Sequence, residues 1–365
     1  MRVAYTLEQC WHSVPGGTAR AALEVAAELS ANPAAGVDLV GVSALHRRPP
    51  DPPWVPSIPV RALPLPRLAL YESWHLLRRP AVQRATGPID LVHATGVAVP
   101  PHSAPLVVTV HDLAYLHDPS QFTAKGRRFF DQGLRLVRRD ADLVLCSSEA
   151  TLADCVAAGL PSRRLRLVPL GVRPVQVDSG EVTTTLARYG LERPFVLSVG
   201  TLEPRKNLPT LIEAFARSAR NDVDLVLVGA TGWHTEIDEL VRPLGNRARV
   251  LGFLPNTDRD ALYAGAEVFC YPSLFEGFGL PVLEAMAAGT PVVTSSGTAT
   301  AEAAGDAGLL VDPRDVGAIT AALDRVLGSE SLAAELAAAG RDRAASFSWS
   351  RTAALTVEAY RELLG

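Results

Sequence analysis

The sequence predicts two doubly wound α/β domains of similar size. Three observations carry that expectation. Short apolar runs alternate with helical patterns along the whole chain. The runs are continuous rather than alternating, as in parallel sheets covered on both faces. The 365 residues, 48% apolar and 20% charged, exceed what a single core usually organises.

In the first half the strand candidates are 2–5, 37–42, 90–93, 106–110, 142–147 and 165–168. In the second they are 195–199, 224–228, 249–252, 268–271, 291–294 and 308–311. Between them, Ala22, Val25, Ala26 and Leu29 recur with helical period, as do Leu208, Leu211, Ile212 and Phe215. Asn207 is the expected cap of the latter helix. The stretch 169–182, PLGVRPVQVDSGEV, has prolines, glycines and no helical period, and reads as a hinge. The expected division is a first domain over 1–172, a linker over 173–190, a second domain over 191–345 and a closing helix over 346–365. Ligands of such sheets bind beyond the carboxyl ends of the strands, so facing domains would hold a ligand in the cleft between them.

Composition narrows the partners. A net charge of −4 and a pI near 6.1 argue against nucleic acid. Cys10, Cys146, Cys155 and Cys270 form no CxxC pair, so neither zinc nor a disulfide framework is expected, and scattered apolar thiols fit a reducing cytoplasm. The start of the chain is too polar for a signal peptide, and no apolar run reaches 18 residues. The expectation is a cytoplasmic protein, with contact at the inner membrane face left open.

The candidate chemistry centres on residues 274–291, LFEGFGLPVLEAMAAGTP. A strand ends at Pro272, and a helix is expected from Pro281, a favoured first-turn residue. Glu276 then lies on the loop and Glu284 in the first helical turn. The amides of Phe278, Gly279 and Leu280 would form an anion site at the helix N-terminus. Acids beside such a site suit sugar hydroxyls; the plainer reading is a dipole-complementing Glu284 and a solvated Glu276. In SVGTLEPRKN, Arg205 and Lys206 follow a strand at the same sheet end and suit a diphosphate, or are a solvated pair. Gly16 and Gly17 stand just ahead of the first helix, where glycine permits close backbone approach or a simple turn. His111 ends an apolar strand, as a site residue or a structural one.

The run FEGFGLPVLEAMAAGTPVVTS resembles the signature of family 4 retaining glycosyltransferases with the GT-B fold. The likeness continues through GTLEPRKNL, GFLPNTDRDALYAGAEVFCYPS, GDAGLLVDP and FSWSRTAALTVEAYREL, and more thinly through PGGTARAALEVAAEL, VHDLAYLHDP and DLVLCSSEAT. It implies a nucleotide-diphosphate sugar donor and a last helix crossing back to the first domain. By position, Glu276 would contact the donor sugar, Glu284 the ribose, and Arg205 and Lys206 the diphosphate. Gly16 and Gly17 would border the donor phosphate and the acceptor, His111 would bond the transferred sugar, and the backbone at Phe253 and Leu254 would meet the base. Thr201 stands where many relatives carry Arg, a charge Arg205 could supply. The LEPRKN form resembles the mannosyltransferase-like branch, which makes GDP-mannose the first donor expected.

No cofactor or metal is expected, because preorganised amides and cations can stabilise a leaving diphosphate. Two Asp-x-Asp matches, Asp140/Asp142 and Asp222/Asp224, precede their strands at the wrong sheet end and read as solvated. A front-face substitution, in which the leaving phosphate takes the acceptor's proton, is the favoured retaining mechanism. Competing readings are a GT-B nucleotide-sugar 2-epimerase and an inactive sugar-nucleotide binder. The acceptor is a carbohydrate, a lipid-linked species or another small molecule. The proline-rich 47–67 is a candidate acceptor loop or a plain surface excursion. The basic stretch 125–139, with Phe129, Phe130, Leu134 and Val137 on one side, is a candidate lipid contact or a helix packed on its own domain.

Overall fold

The computed structural model describes residues 1–230, 232 and 237–365. Among these the chain divides into two compact units, Met1–Gly171 with Ser348–Gly365, and Val172–Phe347.

The first unit is built on β1 (Arg2–Thr6), β2 (Asp38–Ser43), β3 (Val60–Ala62), β4 (Leu91–Ala94), β5 (Leu106–Val110), β6 (Leu143–Cys146) and β7 (Leu165–Leu167). They pair in parallel in the order β3-β2-β1-β4-β5-β6-β7. Strand order therefore reverses between β1 and β4. The second unit carries β8 (Phe195–Val199), β9 (Asp224–Val228), β10 (Ala248–Val250), β11 (Val268–Tyr271), β12 (Val292–Ser295) and β13 (Leu309–Val311). All pair in parallel, in the order β10-β9-β8-β11-β12-β13, and the reversal falls between β8 and β11. Helix crossovers diverge at such a reversal and leave a crevice at the strands' carboxyl ends.

The central strands are apolar because both faces are covered. Every residue of β4, β6, β8, β9 and β11 is buried. The predicted helical stripes face these cores: Leu29 is 3% exposed, and Leu211 and Phe215 are fully buried. All four cysteines are buried free thiols.

Four expectations need correction. The proline-rich stretch contains a strand, β3, whose residues are at most half-buried; an edge strand tolerates flanking prolines because one side of its ladder is unused. The expected linker contains a helix, Ser179–Arg188, capped by Asp178 accepting from the Glu181 amide. It packs on the helix Asn256–Gly265, and Asp258 there accepts from the Tyr189 hydroxyl at 2.6 Å. Asn207 does not cap with its side chain. It adopts a left-handed conformation (φ 57°) and its amide donates to Pro272 O (3.1 Å) and Pro313 O (2.6 Å), tying together the loops after β11 and β13. The Asp-x-Asp acids lie at amino ends as expected, but not all are solvated. Asp140 ends a helix and pairs with Arg78 at 2.9 Å, and Asp224 is buried beside Arg193 at 2.9 Å.

The last helix, Trp349–Leu364, belongs to the first unit. Thr352 Oγ1 donates to Pro169 O at 2.7 Å, and a Cβ on Gly171 would sit 2.2 Å from the Trp349 nitrogen, so only glycine allows this contact. Tyr360 Oη lies 2.6 Å from His93 Nδ1, and His93 Nε2 lies 2.7 Å from Thr109 Oγ1. Burial, then the nearby His111, lowers the His93 pKa to about 3, so this ring is neutral near pH 7. Tyr360→Phe leaves a buried ring nitrogen without its partner. Urea unfolding is expected to show a loss of about 1–3 kcal/mol; an unchanged midpoint would mean the hydroxyl holds nothing in place.

Candidate active site

The reversal between β8 and β11 places two loops side by side. The first leaves β8 at Gly200, makes a tight turn over Pro204–Lys206 and enters the helix Leu208–Arg217. The second leaves β11 at Pro272 and enters the helix Leu280–Ala288. Arg205 O joins them, accepting from the Leu274 amide (2.8 Å) and Ser273 Oγ (2.9 Å).

Glu276 sits where the loops meet. It is buried, and its carboxylate accepts from four side chains. Oε1 takes Lys206 Nζ, Tyr271 Oη (2.9 Å) and Ser273 Oγ (2.8 Å), and Oε2 takes Arg205 Nη1 (2.8 Å). Arg205 also pairs with the buried Glu203 at 2.5 Å. Burial alone would raise the Glu276 pKa; the Arg205 and Lys206 charges and the hydrogen bonds from Lys206 and Ser273 outweigh it and hold it at about 2. Burial, with Arg205 adjacent, pulls Lys206 below the usual lysine value, and Lys206 Nζ also donates to Tyr271 Oη at 2.6 Å. A buried lysine and a half-buried arginine thus face one carboxylate, and neither is the solvated residue of the plainer sequence reading.

The neighbouring helix begins at Leu280, with Gly279 at its N-cap in a left-handed conformation (φ 110°) and no side chain capping it. A Cβ on Gly279 would come within 3.2 Å of Thr300 Cγ2, so glycine is needed for both reasons. Phe278 is buried edge-on against Phe347, at 5.8 Å between ring centroids. The helix starts at Leu280, one residue earlier than expected, so Glu284 is its fifth residue and lies just past the first turn. It is buried, accepts from Tyr263 Oη at 3.0 Å and faces Arg259 at 3.9 Å. Thr201, half-buried, follows β8. Phe253, 61% exposed, and Leu254, buried, follow β10 at the same sheet end.

Gly16, Gly17 and His111 lie in the other unit, at carboxyl strand ends around its own reversal. The two glycines are exposed and form the first turn of the helix Gly16–Ala31 rather than preceding it. His111 follows β5; its Nε2 lies 3.2 Å from Thr95 O, which assigns the ring proton to that nitrogen. Burial lowers its pKa, against the opposing effects of Asp112 and the Thr95 hydrogen bond. The structure thus brings Arg205, Lys206 and Glu276 into contact and sets Gly279, Leu280 and Glu284 on the adjoining helix. Sequence reading missed Tyr271, Ser273 and Glu203. The first two flank the strand end, where a polar residue after an apolar run is the available signal.

The stretch 125–139 lies within a helix, Ala124–Asp140, whose apolar side is used within its own unit. Phe129 stacks on His75 (4.8 Å) and Phe130 on Tyr115 (5.3 Å). Arg127, Arg128, Arg135 and Arg138 line an open groove of about 690 Å³. Among the described residues no helix is long and apolar enough to cross a membrane.

Two parallel-sheet units of this kind match the GT-B fold of glycosyltransferases, and the comparisons assign the family. The profile of glycosyl transferases group 1 matches residues 187–343, and that of glycosyltransferase family 4 matches residues 15–176. The O-antigen chain mannosyltransferase B of Escherichia coli is 32% identical over 80% of both chains. The MMP alpha-(1->4)-mannosyltransferase of Mycolicibacterium hassiacum is 32% identical over 76% of this chain and 72% of its own. The solved structure of Anabaena Alr3699/HepE in complex with UDP and glucose superposes over all of both chains with a TM-score of 0.77 at 20% identity. The chain belongs to glycosyltransferase family 4, in the group 1 glycosyl transferases, and its similar relatives include mannosyltransferases.

The Glu276 pKa sets a pH signature. Its folded value, about 2, is below the ordinary 4.5, so its stabilisation is full above pH 4.5 and is lost as pH falls toward 2. The shift corresponds to about 3 kcal/mol. Unfolding followed from pH 7 to pH 2 is expected to show a stability gap between wild type and Glu276→Gln that closes below pH 4.5. A gap independent of pH would mean that the carboxylate charge is not what the variant loses.

Proposed function

We propose that the protein transfers a hexose, mannose foremost, from a GDP-linked donor to a saccharide, lipid-linked or natural-product acceptor, with retention and without a metal. The ion-paired cluster of Arg205, Lys206 and Glu276 carries this reading. It places two preorganised cations at a strand reversal beside an uncapped helix start, and a departing diphosphate needs that electrostatic environment. The mannosyltransferase relatives favour mannose and GDP. Relatives named as transferases lend nothing to the 2-epimerase reading.

In this reading Arg205 and Lys206 stabilise charge on the leaving diphosphate, and the amides at Gly279 and Leu280 add the helix dipole. The metal-free reading is supported by both Asp-x-Asp pairs, which lie at amino strand ends, away from this cluster. Glu276 orients the transferred sugar through its hydroxyls. His111, with its proton committed to Thr95, offers Nδ1 as an acceptor for a sugar hydroxyl. Glu284 holds the ribose. The acceptor's proton passes to the leaving phosphate on the same face of the sugar, which preserves configuration. Contact with anionic lipid, where the acceptor is lipid-linked, would be electrostatic through Arg127, Arg128, Arg135 and Arg138, because the apolar side of that helix is occupied.

Thermal unfolding with GDP, UDP, dTDP and ADP, each with and without EDTA, tests the donor. A ligand at ~100 times its dissociation constant stabilises by about 2.7 kcal/mol. GDP alone is expected to raise the Tm, equally in EDTA; a shift that needs a divalent ion overturns the metal-free reading, and a UDP-only shift overturns GDP. Glu276→Ala is expected to lower transfer by at least 100-fold while nucleotide binding persists, because Arg205 and Lys206 remain. Surviving turnover would remove Glu276 from the reaction.

A further inference from the structure

The first unit holds an ordered polar–aromatic cluster that none of the donor residues explains. It occupies the carboxyl ends of β1 and β2, next to the strand reversal. After β1 the chain makes a tight turn over Glu8–Trp11. Glu8 is 1% exposed, a costly position for a carboxylate unless its charge is met. Its Oε2 accepts from the Ala44 amide at 2.6 Å, and both oxygens lie within 3.0 Å of His46 Nε2. The imidazole so fixed lies flat on the Trp11 indole, 4.7 Å between centroids and 8° from parallel. The indole N–H donates to Arg48 O at 2.9 Å. Trp11 is therefore held through its ring face and its one donor, yet it stays partly exposed.

Two further contacts give this arrangement a direction. His12 lies beside Trp11, with Nε2 3.4 Å from Tyr71 Oη. Burial, then Arg67 and His46, lowers its pKa to about 4, so it is a neutral hydrogen-bonding ring at pH 7. On the other side of the turn, Gln9 Nε2 donates to Thr95 Oγ1 at 2.5 Å, and Thr95 O is the partner of His111. One short turn thus links the aromatic surface to His111. The Arg48 contact also recruits the proline-rich segment, whose role was open in the sequence.

A rigid, partly exposed indole beside a neutral imidazole matches a sugar ring. The ring's C–H face packs on the aromatic surface, and hydroxyls at its edge exchange hydrogen bonds with the imidazole. Preorganisation reduces the ordering penalty on binding. We propose that Trp11, held by His46 and Glu8, together with His12, is the acceptor-recognition surface and takes the ring of a neutral saccharide. This rests on the transferase reading above.

Saturation-transfer NMR on the full chain tests it, with methyl α-mannoside, methyl α-glucoside and methyl β-galactoside as probes. At least one glycoside is expected to bind the wild type. Trp11→Ala should weaken that binding at least tenfold, and Trp11→Phe, which keeps a ring, by less. The nucleotide-induced Tm shift should be retained in both variants, which shows that they are folded. Binding of no glycoside by the wild type overturns the proposal, as does binding that Trp11→Ala leaves unchanged. A wild type that binds a glycoside through Trp11 but shows no nucleotide shift would instead count against the transferase reading, so the two failures are distinct.

Discussion

A buried carboxylate between a buried lysine and a half-buried arginine organises the second unit. Taking Glu276 or Lys206 alone out of water would cost several kcal/mol, and their attraction to each other and to the half-buried Arg205 offsets this only with close geometry and filled hydrogen-bond sites. Both conditions hold. Glu276 has four side-chain donors, and the loops that supply them are joined at Arg205 O. Asn207, left-handed and bonded to two carbonyls, fixes the turn that presents the cations. The cluster is thus as much a statement about loop order as about charge.

The sheets explain why such clusters occur where they do. In both units the strand order reverses once, and in both the unusual residues gather at that reversal. In the second unit these are Arg205, Lys206 and Glu276. In the first they are Glu8, Trp11, His12 and His46, with Thr95 and His111 across the turn. At the reversal the covering helices diverge, so polar groups there can be buried by one another.

Sequence reading succeeded where one physical signal dominated. Twelve of the strands were legible because their continuous apolar runs have no other purpose, whereas β3 was hidden because an exposed edge strand among prolines has no apolar run. The helix Ser179–Arg188 was hidden for a similar reason: only Thr185 of its ten residues is buried, so its apolar stripe is faint. At the site, Arg205, Lys206, Glu276 and Glu284 were visible as charges in an apolar, glycine-rich context and through the family resemblance. Their pairing was not, because it depends on two loops 70 residues apart meeting. Trp11 and His46 were invisible for the same reason, since nothing local marks two rings from different strand ends that stack.

Charge balance at Glu276 bears on how the proposed donor would bind. Arg205 and Lys206 are matched here by Glu276 and Glu203, so the four side chains sum to zero. A diphosphate entering this site would bring negative charge to a region with no net positive charge, and the helix dipole at Leu280 supplies about half an elementary charge. Attraction then requires at least one cation to be released from its carboxylate. The role proposed for Glu276 meets that requirement: a carboxylate that turns to sugar hydroxyls releases Lys206 for phosphate, while Arg205 keeps its Glu203 partner. Exchange of this kind couples recognition of the sugar to recognition of the diphosphate, since either contact alone would leave a buried charge unmatched. A nucleotide without its sugar would free Lys206 less completely, and the intact donor would be favoured over its own leaving group.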